Sequence, residues 1–359
     1  MNPTGYPRCS LYSWNSGEGK PWVNADGTLS LPAITAAARY PRLTVDIGGL
    51  YRVNGPTRAD VFLAMRKANP TVQIGWYLLA GWTYMRADYG AQPNWTRETW
   101  LESLKATNGI GTDGVIRWED PAVEVRLAAD IVNVWRSHLA DFFFFDYFFS
   151  RNEAARRALQ RVVHALRQAG CPVVLGNANE VDDDNLDGSM KEGFYADLWT
   201  SSELNVRQWR EGRPEKRHDW LQAGTNVRSL DSADAQRKCR YAHGYGCMFD
   251  MQVSFGPDRD QSVPYHEFWA DFYSVDPQGN PDPSGSCCGW LGEPVGPAWR
   301  PTVSGAWQRT FSRGHVVVND NTTDRNVALP KGLFSISTGN EMATITVAAK
   351  SAEFLWRAR

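Results

Sequence analysis

The sequence predicts an α/β fold, a (β/α)8 TIM barrel followed by a small antiparallel β module. Up to Gly292, short runs with β character alternate with amphipathic helical patterns, an order typical of a parallel sheet. Several of these runs are almost continuously apolar, as expected of parallel strands that are covered on both faces. After Gly292 the helical periodicity ends, and short β runs separated by turn residues replace it.

The barrel region contains a series of runs with strand character. They are Cys9–Trp14, Leu43–Gly48, Gln73–Leu79, Val115–Trp118, Phe142–Phe148, Val173–Asn177, Ser189–Phe194 and Met248–Val253. Seven or eight βα units over this length fit a closed barrel better than a doubly wound sheet. The phosphate-binding patterns GxGxxG after the first strand and GxxxxGK[ST] are both absent from the sequence, so no cofactor is expected.

Helix signals fall between the predicted strands. Helix starts are marked by Ser30 with Pro32, by Thr57, by Glu119–Asp120–Pro121, and by a capping box of Ser150 with Glu153. The helix that follows this capping box, Asn152–Gln168, has an apolar stripe made of Leu159, Val162, Val163 and Leu166, and Gly170 ends it. A further helix is predicted over Asp231–Gly244.

The residue pattern after Gly292 predicts a β module. Its strand-like runs are Trp307–Phe311, His315–Val318, Leu333–Ile336, Thr344–Ala348 and Phe354–Trp356. We therefore predict a barrel domain over residues 1–300 and a β module over residues 301–359. A segment of this size buries only a small core of its own, so we expect it to pack on the barrel.

Bulk composition excludes several classes of function. The net charge of −2 and the absence of a basic run argue against a nucleic-acid partner or an anionic membrane partner. No apolar run approaches the ~18 residues of a membrane-spanning helix. No signal peptide is visible at the N-terminus, which leaves a cytoplasmic, a phage-associated or a secreted and processed protein open. The oligomeric state is left open as well.

Metal and nucleophile motifs are missing from the sequence. The six cysteines form no CxxC pair, and HExxH and GxSxG are absent. Buried reduced thiols are the favoured interpretation of the cysteines, with a disulfide between distant ones left open. The run Asp182–Asp183–Asp184 lacks the spacing of a calcium loop and is interpreted as a solvated acidic loop. No metal site is predicted.

The stretch DFFFFDYFFSR, residues 141–151, places two carboxylates at the ends of an aromatic strand. In a (β/α)8 barrel, catalytic groups project from the carboxyl ends of the strands. Asp146 follows the phenylalanines at that end, where a carboxylate can face the cavity. Asp141 is expected at the opposite end of the strand, with a structural role.

Other polar residues at predicted strand ends complete a candidate site. They are Asp46, Tyr77, Asn177 with Asn179, Glu192, and Asp250 with Gln252. Asp146 and Glu192 come from strands that are not adjacent, and glycoside hydrolysis needs two carboxylates that flank the scissile bond. Ordinary ion pairs, Asp46 with Arg52 or Glu192 with Lys191, are the alternative interpretation. The 16 Trp, 13 Tyr and 15 Phe suit a core and also suit sugar stacking.

Five segments of the chain resemble a known group of proteins. EDPAVEVRLAADIV and VVLGNAN match the group, DFFFFDYFFS and DGSMKEGF match its DGxxxD and DGxxxEGF strands, and LGEPVGPAW with WQRTFSRGHVVVND matches its loop and hairpin motifs. The chain thus resembles an uncharacterised glycoside-hydrolase-like (β/α)8 family that is distantly similar to endo-α-1,4-polygalactosaminidase-type enzymes. Its one departure is Phe142, where the family commonly has glycine. The resemblance implies that Asp146 and Glu192 correspond to a catalytic pair, and it implies no particular substrate.

The leading hypothesis is a glycoside hydrolase that cleaves a polysaccharide or oligosaccharide without a cofactor. Glu192 is assigned as general acid and Asp146 as nucleophile or base, with the exchanged roles and both stereochemical outcomes left open. Asp46, Tyr77, Asn177 and Gln252 are predicted to bind sugar hydroxyls. Trp14, Trp82 and Trp199 are candidates for stacking on sugar rings. The rival hypothesis is a non-catalytic carbohydrate-binding or phage virion-associated structural protein built on the same barrel.

Overall fold

The computed structural model describes most of the chain. The described residues are 5–13, 22–24, 26–45, 58–79, 117, 120–146, 153–177, 186–195, 206–212, 218–225, 233–257, 288–336 and 338–357. The chain divides into two compact units, Tyr12–Lys191 and Met1–Leu11 with Glu192–Arg359. Among the described helices, none combines the length and the apolar character needed to cross a membrane.

The barrel sheet has eight strands, paired in the order in which they occur along the chain. They are β1 Leu11–Ser13, β2 Arg42–Val45, β3 Gln73–Leu79, β4 Phe142–Asp146, β5 Val174–Gly176, β6 Gly188–Tyr195, β7 Trp220–Thr225 and β8 Gln252–Pro257. Just before β1, Cys9 forms a parallel bridge with Val253 of β8. The Ser10 N–H donates to the Val253 carbonyl, and the Val253 N–H donates to the Arg8 carbonyl, each at 2.9 Å. The predicted (β/α)8 barrel is confirmed.

One predicted strand differs from the structure, and one strand is missing from the prediction. The missing strand is β7. The predicted run Val115–Trp118 lies outside the described residues except for Arg117, which is in no regular element. The last predicted barrel strand, Met248–Val253, begins too early, because the preceding helix extends to Met248. Tyr245 packs against Phe249 with ring centroids 4.7 Å apart, which stabilises this extra helical turn.

The described helices match the sequence signals. They are α1 Leu31–Ala37, α2 Arg58–Ala68, α3 Pro121–Arg136, α4 Glu153–Gln168 and α5 Ala233–Met248, with a further helical segment at 206–211. The predicted stripe of α4, residues Leu159, Val162, Val163 and Leu166, is buried. Gly170 has the positive φ of +88° that ends a helix in the left-handed conformation. The pattern of apolar residues therefore predicted which face of α4 packs on the sheet.

A repeated ion pair fixes the amino ends of two strands in the unit Tyr12–Lys191. Asp141, just before β4, accepts the Ile74 N–H of β3 at 2.8 Å and pairs with Arg66 of α2 at 3.0 Å. Asp187, just before β6, accepts the Val174 N–H at 2.7 Å and pairs with Arg167 of α4. Asp141 thus links β3 to α2, and Asp187 links β5 to α4. The structural role predicted for Asp141 is confirmed.

The C-terminal β module consists of two antiparallel sheets. Its strands are β9 Trp307–Phe311, β10 Gly314–Asn319, β11 Arg325–Ala328, β12 Leu333–Ser335, β13 Thr344–Val347 and β14 Ser351–Arg357. One sheet has the order β12-β14-β10-β9, and the other pairs β11 with β13. Strand β11 was missed, because RNVA is short and polar. Their shared core is formed by Ala306, Val317, Val327, Leu333, Val347 and Leu355.

The β module packs on helix α5 through a glycine. A Cβ atom at Gly244 would lie 2.4 Å from Cβ of Ala352 and 2.9 Å from Cγ2 of Val318, so only a glycine permits this approach. The β module therefore contacts α5 at this glycine. Its packing on the barrel and the domain boundary near residue 300 stay predictions.

Arg309 of β9 connects this module to the end of α5. Its guanidinium donates to the carbonyls of Cys247 and Met248, the last residues of α5, at 2.7 and 3.2 Å. It also binds both carboxylate oxygens of Asp250, at 2.8 and 3.3 Å. The Tyr6 hydroxyl donates to the same carboxylate at 2.5 Å. One buried cation thus satisfies the carboxyl end of a helix and, through Asp250, holds the N-terminal segment.

The protonation of Asp250 follows from these contacts. Burial raises the pKa of Asp250, but the hydrogen bonds from Arg309 and Tyr6, together with the charges of Arg309 and Arg8, outweigh burial and lower the net pKa below its usual value. The carboxylate therefore stays ionised and paired with Arg309 at neutral pH. Asp250 was a predicted strand-end residue; the structure places it instead in the turn before β8, with φ of +58°.

The first prediction concerns this cation. Arg309→Met should lower the free energy of unfolding by about 2 to 4 kcal/mol, because it leaves a carboxylate and two helix carbonyls without their donor. Chemical denaturation followed by tryptophan fluorescence measures the change. Arg161→Met is the matched control, since Arg161 forms an exposed pair with Glu124 between α3 and α4. Equal midpoints for the two variants would contradict the role assigned to Arg309.

A buried histidine gives the β module a pH dependence. His315 of β10 contacts Gln308 Oε1 through Nε2 at 3.2 Å and Thr310 Oγ1 through Nδ1 at 3.0 Å. Because the amide oxygen only accepts, Nε2 carries the proton and the imidazole is neutral. Burial, helped by the charge of Arg357, lowers the pKa of His315 to about 4.

The second prediction follows from that lowered pKa. In the unfolded chain a histidine takes up its proton near pH 6.5, whereas the folded protein resists protonation of His315 until about pH 4. The stabilisation is therefore complete above pH 6.5 and decreases as the pH falls toward 4, by at most about 3 kcal/mol. His315→Gln should lose less stability than the wild type over this window. Denaturation curves measured from pH 7.5 to 4 check this, and parallel pH profiles of the two proteins would refute it.

Candidate active site

Alternation along β3 and β4 separates a helix side from a barrel side of the sheet. Trp76 of β3 packs edge-on against Phe62 of α2, with centroids 6.0 Å apart, so it lies on the helix side. Its neighbour Tyr77 therefore lies on the barrel side, where it stacks on Phe144 of β4 at 6.0 Å and 12°. The aromatic residues of β4 thus divide between the two sides.

Position 146 belongs to the barrel side of β4. Asp146 is the last residue of the strand and follows Phe144 by two, so strand alternation gives both positions the same face. Its register partner in β3 is Leu79. The side chain of Asp146 lies outside the described part of the structure. The backbone nevertheless places position 146 at the carboxyl end of a central strand, as the sequence predicted.

Asn177 lies beside position 146. The pairing of Phe145 with Gly176 makes Asn177, which directly follows β5, the neighbour of Asp146 across the sheet. The Asn177 N–H donates to the Phe145 carbonyl at 2.9 Å, and the side chain is buried. The carboxyl edge of β3 to β5 therefore brings together Tyr77, Asn177 and the position of Asp146.

Glu192 lies within β6, the strand Gly188–Tyr195. This strand pairs with β5 at its amino end, where Leu175 is the partner of Gly188. The side chain of Glu192 lies outside the described part of the structure, so the pairing of Glu192 with Asp146 stays a prediction.

The lower part of this face is filled by Phe142. Gly75 of β3 is its register partner, and a Cβ atom at Gly75 would lie 2.3 Å from the Phe142 ring. The guanidinium of Arg42 lies 5.2 Å from the same ring and is hydrogen-bonded to Gln73 at 2.8 Å. The Phe142 ring therefore fills the space beside Gly75 at the amino end of β4.

Gln252 is not where the sequence analysis placed it. It begins β8, at the amino end of the strand, and only 1% of its surface is exposed. Neither Oε1 nor Nε2 of its side chain has a hydrogen-bond partner. The predicted position at the carboxyl end of a strand is wrong, because α5 and the turn at Asp250 take up the residues assigned to that strand. Its sugar-binding role gains no support from this position.

The remaining predicted site residues, Asp46, Asn179, Trp14, Trp82 and Trp199, lie outside the described residues. Within the described ranges, no group of three or more His, Cys, Asp or Glu side chains is arranged to hold a metal ion. The five cysteines that the structure describes, Cys9, Cys171, Cys239, Cys247 and Cys288, are free thiols, and all but Cys288 are buried. Burial raises the pKa of Cys171 to about 11, which keeps that thiol protonated.

Comparison with known proteins finds likeness in structure only. No family model matches the sequence, and no curated protein matches it. An α-amylase from Malbranchea cinnamomea superposes with a TM-score of 0.57 at 10% identity, over 98% of this chain and 96% of that chain. An α-amylase from Geobacillus thermoleovorans, complexed with acarbose, gives 0.55 at 9% identity, over 97% of both chains.

A third similar structure belongs to a different glycosidase group. The GH27 β-L-arabinopyranosidase from Geobacillus stearothermophilus gives a TM-score of 0.55 at 10% identity, over 99% of this chain and 97% of that chain. These structural neighbours are glycoside hydrolases built on the (β/α)8 barrel. Identities this low show that the fold is shared and do not transfer an activity.

The third prediction tests the buried amide of β8. Gln252→Leu should leave the free energy of unfolding unchanged or raise it by up to about 1 kcal/mol, because it removes a buried polar group that has no partner. Gln308→Leu is the matched control and should lower stability, since Gln308 binds His315. Thermal denaturation of both variants measures the difference. A clear loss of stability in Gln252→Leu would show that this amide has a partner.

Proposed function

We propose that this protein is a glycoside hydrolase that cleaves a polysaccharide or oligosaccharide with Asp146 and Glu192. The observation that carries the proposal is the position of Asp146 at the carboxyl end of β4, in a barrel sheet that also contains Glu192 within β6. In (β/α)8 enzymes that edge of the sheet carries the chemistry.

The fold comparisons support the same class of reaction. The similar structures include an α-amylase complexed with acarbose and a β-L-arabinopyranosidase in complex with arabinose. The sequence resemblance to endo-α-1,4-polygalactosaminidase-type enzymes is a finer proposal that rests on the strand and hairpin motifs alone. An amino-sugar polymer therefore belongs among the substrates to be tried.

The two carboxylates have separable roles in this mechanism. Asn177, the neighbour of position 146, is placed to donate a hydrogen bond that keeps Asp146 ionised as nucleophile or base. Glu192 is then the general acid, and the negative charge of Asp146 favours its protonated form. The carboxyl groups of retaining enzymes lie about 5 to 5.5 Å apart, and those of inverting enzymes about 6.5 to 9.5 Å, so this separation decides the stereochemistry.

Sugar binding falls to residues around this edge. Tyr77 and Asn177 border the carboxyl ends of β3 and β5, where a hydroxyl and an amide suit sugar hydroxyls. Asp46, directly after β2, is proposed for the same task. Trp14, Trp82 and Trp199 are proposed as stacking residues.

The fourth prediction tests the two proposed catalytic carboxylates, Asp146 and Glu192, against Asp141 at the other end of β4. Glu192→Gln and Asp146→Asn should each lower turnover by about 10²- to 10⁴-fold, because each removes a proton-transfer or nucleophilic group. Asp141→Asn is the matched control: Asp141 ends the same aromatic run but pairs with Arg66, so this variant should lose stability and keep its turnover. Release of reducing ends from starch, galactan and polygalactosamine measures turnover.

The outcomes separate the hypotheses. Full activity of Glu192→Gln on a substrate that the wild type cleaves would remove Glu192 from the mechanism. Binding of a polysaccharide with no turnover by the wild type would favour the rival function, a carbohydrate-binding or phage virion-associated structural protein on the same barrel.

A further inference from the structure

The segment before β9 carries an exposed indole on a fixed backbone. Residues 294–299 run antiparallel to β9, with the Val295 N–H donating to the Thr310 carbonyl at 2.9 Å. Trp299 exchanges both backbone hydrogen bonds with Gln308, at 2.9 and 2.8 Å. Even so, 40% of Trp299 is exposed. A large aromatic ring held at the surface by its backbone pairing, near the exposed Val295, is a candidate for a ligand contact.

The orientation of the ring is fixed as well. The indole packs edge-on against the imidazole of His315, with centroids 5.5 Å apart and an angle of 61° between the planes. His315 is buried and is held by Thr310 and Gln308. A ring restrained in this way loses little conformational entropy when a ligand covers it.

Polar groups lie beside the indole. Gln308 and Thr310 are two residues apart on β9 and share one face, and Trp299 and Val295 pair opposite them. Val295 is exposed and Thr310 is half-buried. We name Trp299, Val295 and Thr310 the Trp299 platform. It offers an exposed indole and an exposed valine beside a hydroxyl that donates its proton to His315 and can still accept a hydrogen bond from a ligand.

The size of the platform favours one class of occupant. A stable protein partner covers about 800 Å² on each side, far more than one indole and one valine provide. A sugar ring presents an apolar face of C–H groups with hydroxyls at its rim, which one exposed tryptophan and a neighbouring hydroxyl match.

We infer that the Trp299 platform is a carbohydrate-binding site on the β module that stacks one sugar ring of a polysaccharide. The inference rests on the proposed function in taking a polysaccharide as the ligand. A second contact to the same polymer raises the effective concentration of its glycosidic bonds near the catalytic pair. Short oligosaccharides that occupy only the catalytic site gain nothing from it.

Affinity gel electrophoresis tests the site on the full chain, with soluble starch, galactan and polygalactosamine as probes. The wild type should be retarded by at least one polymer, and Trp299→Ala should weaken that retardation on the order of 3- to 10-fold, as expected for the loss of one stacked ring. Trp299→Tyr should keep most of it. Val303→Ala is the matched control, since Val303 is fully exposed on the neighbouring loop. Thermal denaturation of each variant confirms that it is folded.

The double variant Asp146→Asn, Glu192→Gln distinguishes this inference from the proposed function. It should retain the retardation that depends on Trp299. If the wild type shows no turnover but Trp299-dependent retardation persists, the hydrolase proposal fails and the platform stands. If no probe retards the wild type, or if folded Trp299→Ala is retarded as strongly as the wild type, the platform is refuted.

Discussion

The buried guanidinium of Arg309 holds together parts of the chain that are far apart in sequence. It neutralises Asp250, donates to the last carbonyls of α5 and donates to the Gly296 carbonyl at 3.1 Å. Asp250 in turn anchors Tyr6, which packs on Phe311 with centroids 5.3 Å apart. Burying a charge is expensive unless its donors are satisfied, and here the acceptors come from two segments, residues 247–250 and Gly296. The helix end, the N-terminal segment and the β module are therefore positioned by a single charged group.

A large residue and a missing side chain compensate each other in the barrel sheet. Phe142 stands where the family it resembles commonly has glycine, and its register partner in β3 is Gly75. The ring of Phe142 occupies the space in which a Cβ atom at Gly75 would have to lie. Positions 75 and 142 are therefore coupled, because any side chain with a Cβ atom at position 75 requires the ring at position 142 to move or to be replaced by a smaller residue.

The sequence predicted those parts of the fold that depend on local pattern. The buried stripe of α4, the bounds of β3 and β9, and the carboxyl-end position of Asp146 follow from periodicity, turn residues and strand ends. It failed where contacts between distant segments determine the local structure. The turn at Asp250 exists because Arg309, far along the chain, binds it, and this turn moves β8 so that Gln252 begins the strand. β7 was missed because its sequence, WLQAGT, alternates weakly, and only pairing with β8 identifies it.

The parallel bridge between Cys9 and Val253 has a consequence for how the chain is made. Residues 8–10 have no sheet partner on the β8 side until β8 has been synthesised. Tyr6 likewise pairs with Leu291 and Gly292, which are synthesised even later. During translation the first strand must therefore wait, incompletely paired, while most of the protein leaves the ribosome. Contacts of such long range make folding slow, since the chain loses much entropy before they form. An emerging chain of this kind exposes a strand edge that other nascent chains can join, so its yield in a cell should depend on chaperones that cover that edge.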